Sequence, residues 1–344
     1  MDSTPDPTLD VVAVGSAIVD VLAHVDDDLI TSLGLEKGMM ALVDHDRSAA
    51  IYDAMPPGIE VSGGSAANTA AGIASLGGAA AFVDKVRDDA LGEIFVHDLR
   101  STGVVYSTPA AASGPPTARS LILVTPDAER TMNTYLGVAS EMGADDVDPD
   151  LVASAKVVYL EGYLVGLPSA EQALTAAIRA ADAAGRRIAL TLSDPSWVAF
   201  QRDAFQELLP YVDFLIGNEA EALVLTGEDS VPAALQALTK TCPVVAVTQG
   251  AGGAIASDGR GSVSVRAEPV EKVEDTTGAG DLFAAGFLLG LARQRALMDC
   301  LRLGTLAAAE VISHMGARPQ TSLSELAAAK GIEYSAAPAA NPEP

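Results

Sequence analysis

Basic side chains are scarce in this chain. Its 21 Lys and Arg stand against 46 Asp and Glu, which gives a formal net charge of −25 and a sequence pI near 4.3. A nucleic-acid groove needs a stripe of Lys and Arg to displace counterions, and a polybasic membrane patch needs the same cluster. Both partner classes are therefore excluded. Cysteine is nearly absent. Cys242 and Cys300 stand far apart with no metal-ligand spacing, so no disulfide framework or zinc site is expected and both read as reduced. The four histidines, His24, His45, His97 and His314, show no ligand spacing either. Aromatics make up only 4% of the residues. The apolar runs are too short and too broken by glycine to span a bilayer. Residues 1–10 carry neither a basic nor an apolar leader segment, so a cytoplasmic location is expected. The phosphate loop G-x-x-x-x-G-K-[ST] is missing too, so the phosphates of any bound ATP would have to be held by helix-terminal amides and metal.

What is present is a 344-residue chain, 49% hydrophobic, with ample material for a large core. Its most informative stretch is Asp275-Thr276-Thr277-Gly278-Ala279-Gly280-Asp281, ahead of the apolar run Leu282–Leu291. Two glycines around Ala279 allow a tight turn and close approach to the backbone. The run from Ala279 reads as a helix, whose first turn offers unpaired N–H groups to an oxyanion. Asp281 lies in that turn. A carboxylate beside an anion hole makes sense if it takes a proton from an attacking hydroxyl while the amides neutralise a phosphoryl group. The competing reading is a first-turn aspartate that only complements the helix dipole.

The rest of the chain supplies a framework. Val11–Val14 reads as a buried parallel strand, followed by Ser16 and, shortly after, Asp20, where open α/β sheets bind ligands. A solvated turn aspartate is the alternative for Asp20. Segments 17–25, 38–44, 117–125 and 129–136 read as the strands of a four-stranded β lid, the last two forming a hairpin. Ile59–Val61 is a short strand, and Gly63-Gly64 separates it from an alanine-rich helix with Asn68 near its start. Val104–Tyr106 reads as a further strand. After Asp145, short apolar runs alternate with helices, the pattern of a parallel sheet covered on both faces. Residues 1–9 and 335–344 read as disordered tails around a domain spanning 10–330.

The segments D-T-T-G-A-G-D and G-G-S-A-A-N (Gly63–Asn68) together resemble the two signatures of the ribokinase-like (PfkB) carbohydrate and nucleoside kinases, over about residues 11–320. The resemblance implies an α/β, three-layer fold with a mostly parallel central sheet and a small β lid. It implies ATP and Mg²⁺, with K⁺ or another monovalent cation near Asp275 and Thr277. It also implies roles for particular residues. Asp281 would be the general base, with the amides of Thr277, Gly278, Ala279 and Gly280 as anion hole. Asp20, Gly63, Gly64 and Asn68 would hold the sugar, with Ser16 a shorter arm where several relatives have Asn. Asn218 and Glu221 would hold Mg²⁺ through water. Ser193, Thr248 and Gly250 would line the nucleotide cleft.

For the substrate, Met40, Leu42, Met132, Tyr135 and Leu136 of the lid and Tyr163 beyond the strand Val157–Leu160 offer an apolar slot for a base. Arg130 on the lid hairpin reaches for a phosphate or substrate group, or is merely paired. The overall pattern is similar to bacterial adenosine kinase-like members, which favours a small nucleoside over a free sugar. The alternatives are a sugar kinase of the fructokinase or ribokinase type, and a non-catalytic binding protein on the same fold. A homodimer through the lid is the one macromolecular partner expected.

Overall fold

Val11 to Val14 are β-branched or small, and all are buried, with alternate side chains entering two different cores. A strand buried on both faces belongs at the centre of a parallel sheet, and this one does. The computed structural model describes residues 7–127 and 129–334. In chain order the first half runs β1 (Leu9–Val14), β2 (Ile18–His24), α1 (Asp27–Ser32), β3 (Met40–Leu42), α2 (His45–Ala54), β4 (Ile59–Gly63), α3 (Ser65–Ser75), β5 (Ala80–Val83), α4 (Ala90–Ser101), β6 (Ala118–Val124) and β7 (Arg130–Tyr135). The second half runs α5 (Pro149–Ala153), β8 (Ala155–Leu160), α6 (Glu171–Ala183), β9 (Arg187–Thr191), α7 (Pro195–Phe200), α8 (Arg202–Leu208), β10 (Phe214–Asn218), α9 (Glu219–Thr226), α10 (Val231–Leu238), β11 (Val244–Thr248), β12 (Ala254–Ser257), β13 (Ser262–Val265), α11 (Ala279–Ala292), α12 (Leu297–Val311) and α13 (Leu323–Ala329).

The large sheet has the order β13-β12-β11-β10-β9-β8-β1-β5. From β11 to β5 all pairs are parallel, and β12–β13 is an antiparallel hairpin on one edge. One core packs α3, α4, α11, α12 and α13 on one face, and a second packs the helices from α5 to α10 on the other. This is the expected three-layer α/β sandwich. Helix α11 is buried from Leu282 through Gly290, as a helix enclosed on all sides must be. Chain order reverses at β1, which has β5 on one side and β8 on the other, and that is where a crevice opens beyond the strand ends.

The small sheet has five strands in the order β3-β7-β6-β2-β4, not four. The extra strand is Ile59–Gly63, whose antiparallel pairing with β2 a lone apolar stretch does not announce. Its pairing register sorts the side chains. Val21, Ala23, Leu121 and Leu123 point to a back face, where they form a core with Ile30 of α1 and Ile51 of α2. Arg119 is on this face too, bound to Ser48 and stacked on Tyr52, so it is structural. The back face is thus covered by α1 and α2.

Two other expectations need correcting. Val104–Tyr106 is not a strand: only Val105 bridges to Ala81, and Tyr106 instead sends its ring into the core and its hydroxyl to the Asp84 carbonyl. Residues 7–9 are not part of a disordered arm, since β1 already begins at Leu9. Residues 1–6 and 335–344 lie outside the described residues. Among the described residues no helix is long and apolar enough to cross a membrane, and both cysteines are buried and free.

Candidate active site

Two helices begin at the same place. The caps of α3 and α11 are Gly64 and Gly278, each with positive φ (89° and 76°). A side chain at Gly64 would overlap the Ser16 carbonyl, and one at Gly278 would sit 2.9 Å from the Ala317 backbone. These turns therefore need glycine, and they aim both helix N-termini at one space.

Asp281 projects from the first turn of α11 into that space. Ser65 Oγ donates to its Oδ1 at 2.6 Å, and Asn68 Nδ2 donates to its Oδ2 at 3.0 Å. Thr69 Oγ1 donates to the Asp281 carbonyl, tying α3 to α11 behind the carboxylate. Burial pushes the Asp281 pKa up, while Ser65, Asn68 and the charge of Arg318 oppose that rise. The result is a carboxylate fixed in direction and more basic than an ordinary aspartate, as a general base requires. The expected anion hole needs correcting: the Thr277 amide donates to Asp275 and the Ala279 amide to the Thr276 carbonyl, while the amides of Gly278, Gly280 and Asp281 have no hydrogen-bond partner among the described residues. Gly280 has open space around its missing side chain, with no atom within 4 Å.

The loop before α11 is braced. Asp275 is buried, and its Oδ1 accepts from the Thr277 amide (2.8 Å) and hydroxyl (2.6 Å). Its Oδ2 accepts from the Gly316 amide at 2.9 Å. Arg130, reaching down from β7, pairs with Asp275 at 2.7 Å. Burial would raise the Asp275 pKa, but these donors and the arginine outweigh it and hold it low. The position considered for a monovalent cation is thus engaged by hydrogen-bond donors and a guanidinium.

Asp20 reaches the same space from β2. Its carboxyl group lies against Gly63, where a side chain would overlap it. Burial, reinforced by the negative charges of Asp281 and Asp275, pushes its pKa to about 7 against the pull of Arg318 and Arg130. The register that places Asp20 opposite Ser120 also places Ser120 opposite Thr134 and Thr134 opposite Leu42. The next rung is Leu22, Ile122, Met132 and Met40. Asp20, Arg130, Met40 and Met132 therefore share one face of the small sheet, the face that looks at α11. Ser16 is buried at the end of β1, and its amide donates to Glu161.

The remaining expected residues form a second group along the sheet edge. Asn218 ends β10, Thr248 ends β11 as its register partner, and Gly250 follows in an exposed turn. Asn218 and Glu221 bind each other. Both Glu221 oxygens accept from Asn218 (2.8 and 2.7 Å), and the Glu221 amide donates back at 2.9 Å. This is a reciprocal helix cap. Burial lifts the Glu221 pKa to about 7. No group of three or more acidic, His or Cys side chains suited to a metal occurs among the described residues, so any divalent ion here must draw most of its ligands from water and phosphate. Ser193 has positive φ (71°) and an enclosed Oγ without a partner among the described residues. Tyr163 links the two groups: its hydroxyl donates to the Ser193 carbonyl at 3.5 Å, and burial plus the charges of Asp194, Asp281, Glu161 and Glu221 hold it far above the usual phenol range.

Sequence reasoning missed Ser65, Thr69, Glu161 and Arg318. Glu161 is buried at the end of β8 and accepts from the Ser16 and Ala66 amides; burial raises its pKa to about 7. An acid ending an apolar strand was the signal used for Asp20, and it applied equally here. Ser65 lies inside the Gly63–Asn68 segment. Arg318 follows Gly316 in what reads only as a turn.

The matches with known proteins agree with this geometry. Residues 59–323 match the pfkB family carbohydrate kinase model. The chain belongs to the pfkB family of kinases. The crystal structure of adenosine kinase from Sinorhizobium meliloti is 48% identical, covers 94% of this chain and 99% of its own, and superposes with a TM-score of 0.89. A probable sugar kinase from Rhizobium etli CFN 42 is 46% identical, with coverages of 95% and 100% and a TM-score of 0.90. Adenosine kinase of Saccharomyces cerevisiae is 29% identical over 90% of this chain and 96% of its own. The pfkB kinase described here thus resembles proteins named for nucleosides and for sugars.

Proposed function

We propose that this kinase transfers the terminal phosphoryl group of ATP to the 5′-hydroxyl of adenosine. The observation that carries the reading is the Asp281 carboxylate, held by Ser65 and Asn68 in the first turn of α11, next in the chain to the unpaired amides of Gly278 and Gly280. Asp281 takes the hydroxyl proton, the freed oxygen attacks phosphorus, and ADP leaves. The amides of Gly278, Gly280 and Asp281 receive the charge on the transferring group. Mg²⁺ bound with ATP would neutralise phosphate charge, with the Asn218–Glu221 corner and Thr248 on the nucleotide side. K⁺ near Asp275 is not part of this reading, because Arg130 already supplies the cation there. The small sheet acts as a cover: Asp20 meets the ribose, and Met40, Met132 and Ile122 on the same face meet the base.

The test is a coupled ATP-consumption assay with Mg²⁺, with and without K⁺, across adenosine, other nucleosides, ribose and fructose. Turnover highest with adenosine supports the reading. Turnover with a free sugar alone replaces it with the sugar kinase reading, and returns Met40 and Met132 to a packing role.

A further inference from the structure

Arg318 carries an enclosed charge that is only partly spent. Its Nε donates to Asn68 Oδ1 at 2.8 Å, while Nη1 and Nη2 are shielded from solvent and have no partner among the described residues. Burial lowers its pKa to about 10, so it stays cationic at neutral pH, and Asp20, Asp98 and Asp281 act on it from beyond ion-pair distance. Leaving two charged N–H donors enclosed and unmade is costly, and the cost falls away when a ligand supplies oxygens. The turn carrying Arg318 is fixed for this task, since Gly316 is bonded to Asp275 and Ala317 packs on Gly278.

The chemistry of the surroundings defines the ligand. An anionic group suits a guanidinium but faces the carboxylates of Asp20 and Asp281. A hydroxyl both donates and accepts, so it can give its proton to Asp20 and receive one from Arg318. Two nitrogens in a planar fork match two neighbouring oxygens. We propose that the Nη edge of Arg318 and the Asp20 carboxylate together clamp a vicinal diol of the acceptor, so that Arg318 separates ribo- from deoxyribo-acceptors. This inference rests on reading the site as a nucleoside or sugar kinase.

The experiment compares kcat/KM for adenosine, 2′-deoxyadenosine and 3′-deoxyadenosine in the wild type, Arg318→Gln and Arg318→Lys, with a melting curve for each protein. A hydrogen bond to a charged group is worth roughly 10- to 100-fold. Arg318→Gln should lose about that factor on adenosine, mainly through KM, and far less on the deoxy substrates, so that the selectivity ratio collapses. Arg318→Lys should recover part of it. An equal loss on all three substrates would mean that Arg318 acts only through Asn68 and Asp281, and would overturn the clamp. A wild type that does not distinguish adenosine from its deoxy analogues overturns it without any variant, even if Arg318→Gln fails to fold. If the wild type consumes ribose and not adenosine, the adenosine reading fails, and the clamp is judged by the same ratio on ribose against 2-deoxyribose.

Discussion

Ser65 and Asn68 decide how basic Asp281 is. Each donates to one carboxylate oxygen and so favours the ionised form, against a burial that disfavours it. Ser65→Ala should remove one donor and raise the Asp281 pKa further. A pH–rate profile checks this: the acid limb should move to higher pH while the activity at the alkaline plateau is retained within about 10-fold. Asp20 makes a different prediction. Its folded pKa, about 7, lies above the ordinary value of 3.8. The unfolded chain therefore releases this proton first, and stability is lost as pH rises from roughly 4 through 7. Asp20→Asn should flatten that loss by an amount on the order of a few kcal/mol, read as the difference in urea midpoint between pH 5 and pH 8. Glu161 and Glu221 keep part of the slope, because burial raises both of them to about 7 as well. Of these residues, Asp281 and Asn68 were legible in the sequence, because each follows a glycine turn that opens a helix, whereas Asp20, read as lying beyond the end of the first strand, sits inside β2 of the small sheet. Ser65 and Arg318 were not legible. Their partners lie on α11 and α3 respectively, 216 and 250 positions away in the chain, and no local period reports such a distance.

At the scale of elements, the site is a seam between the small sheet and the start of α11, and Arg130 of β7 spans it. Its partner Asp275 is almost fully buried, yet also has hydrogen bonds from Thr277 and Gly316. Breaking a buried pair from one side costs about 3–5 kcal/mol, and the other donors to Asp275 should keep the cost below that range. Arg130→Met should lower stability by about 1–3 kcal/mol and speed amide hydrogen exchange at residues 275–278, with the α12 core unaffected. Exchange unchanged at those residues would mean that Arg130 does not brace the loop. The large sheet was readable because strands buried on both faces are continuous apolar runs between helices. The small sheet was read only in part. Strand β4 pairs with β2 across about 40 residues, and Val104–Tyr106 shows that a triplet of β-branched and aromatic residues can serve a core through its aromatic side chain without joining a ladder. The helices α1 and α2, which cover the sheet's back face, are short and polar outside and carry little period of their own.

At the scale of the whole molecule, two helix N-termini, one braced loop and one face of a small sheet converge where chain order reverses in a parallel sheet. In a chain with a net charge of −25, two of its few basic residues stand at this seam, Arg130 paired with Asp275 and Arg318 bonded to Asn68. The most direct test of the account follows phosphorus. Phosphorus NMR of the full-length wild type and Asp281→Asn, each with adenosine and MgATP, reports product and rate together. The wild type should form one phosphomonoester per ADP, and Asp281→Asn should be slower by roughly 10²–10⁴ with the fold intact. A phosphomonoester formed at undiminished rate by Asp281→Asn, or inorganic phosphate in its place from the wild type, would contradict this reading.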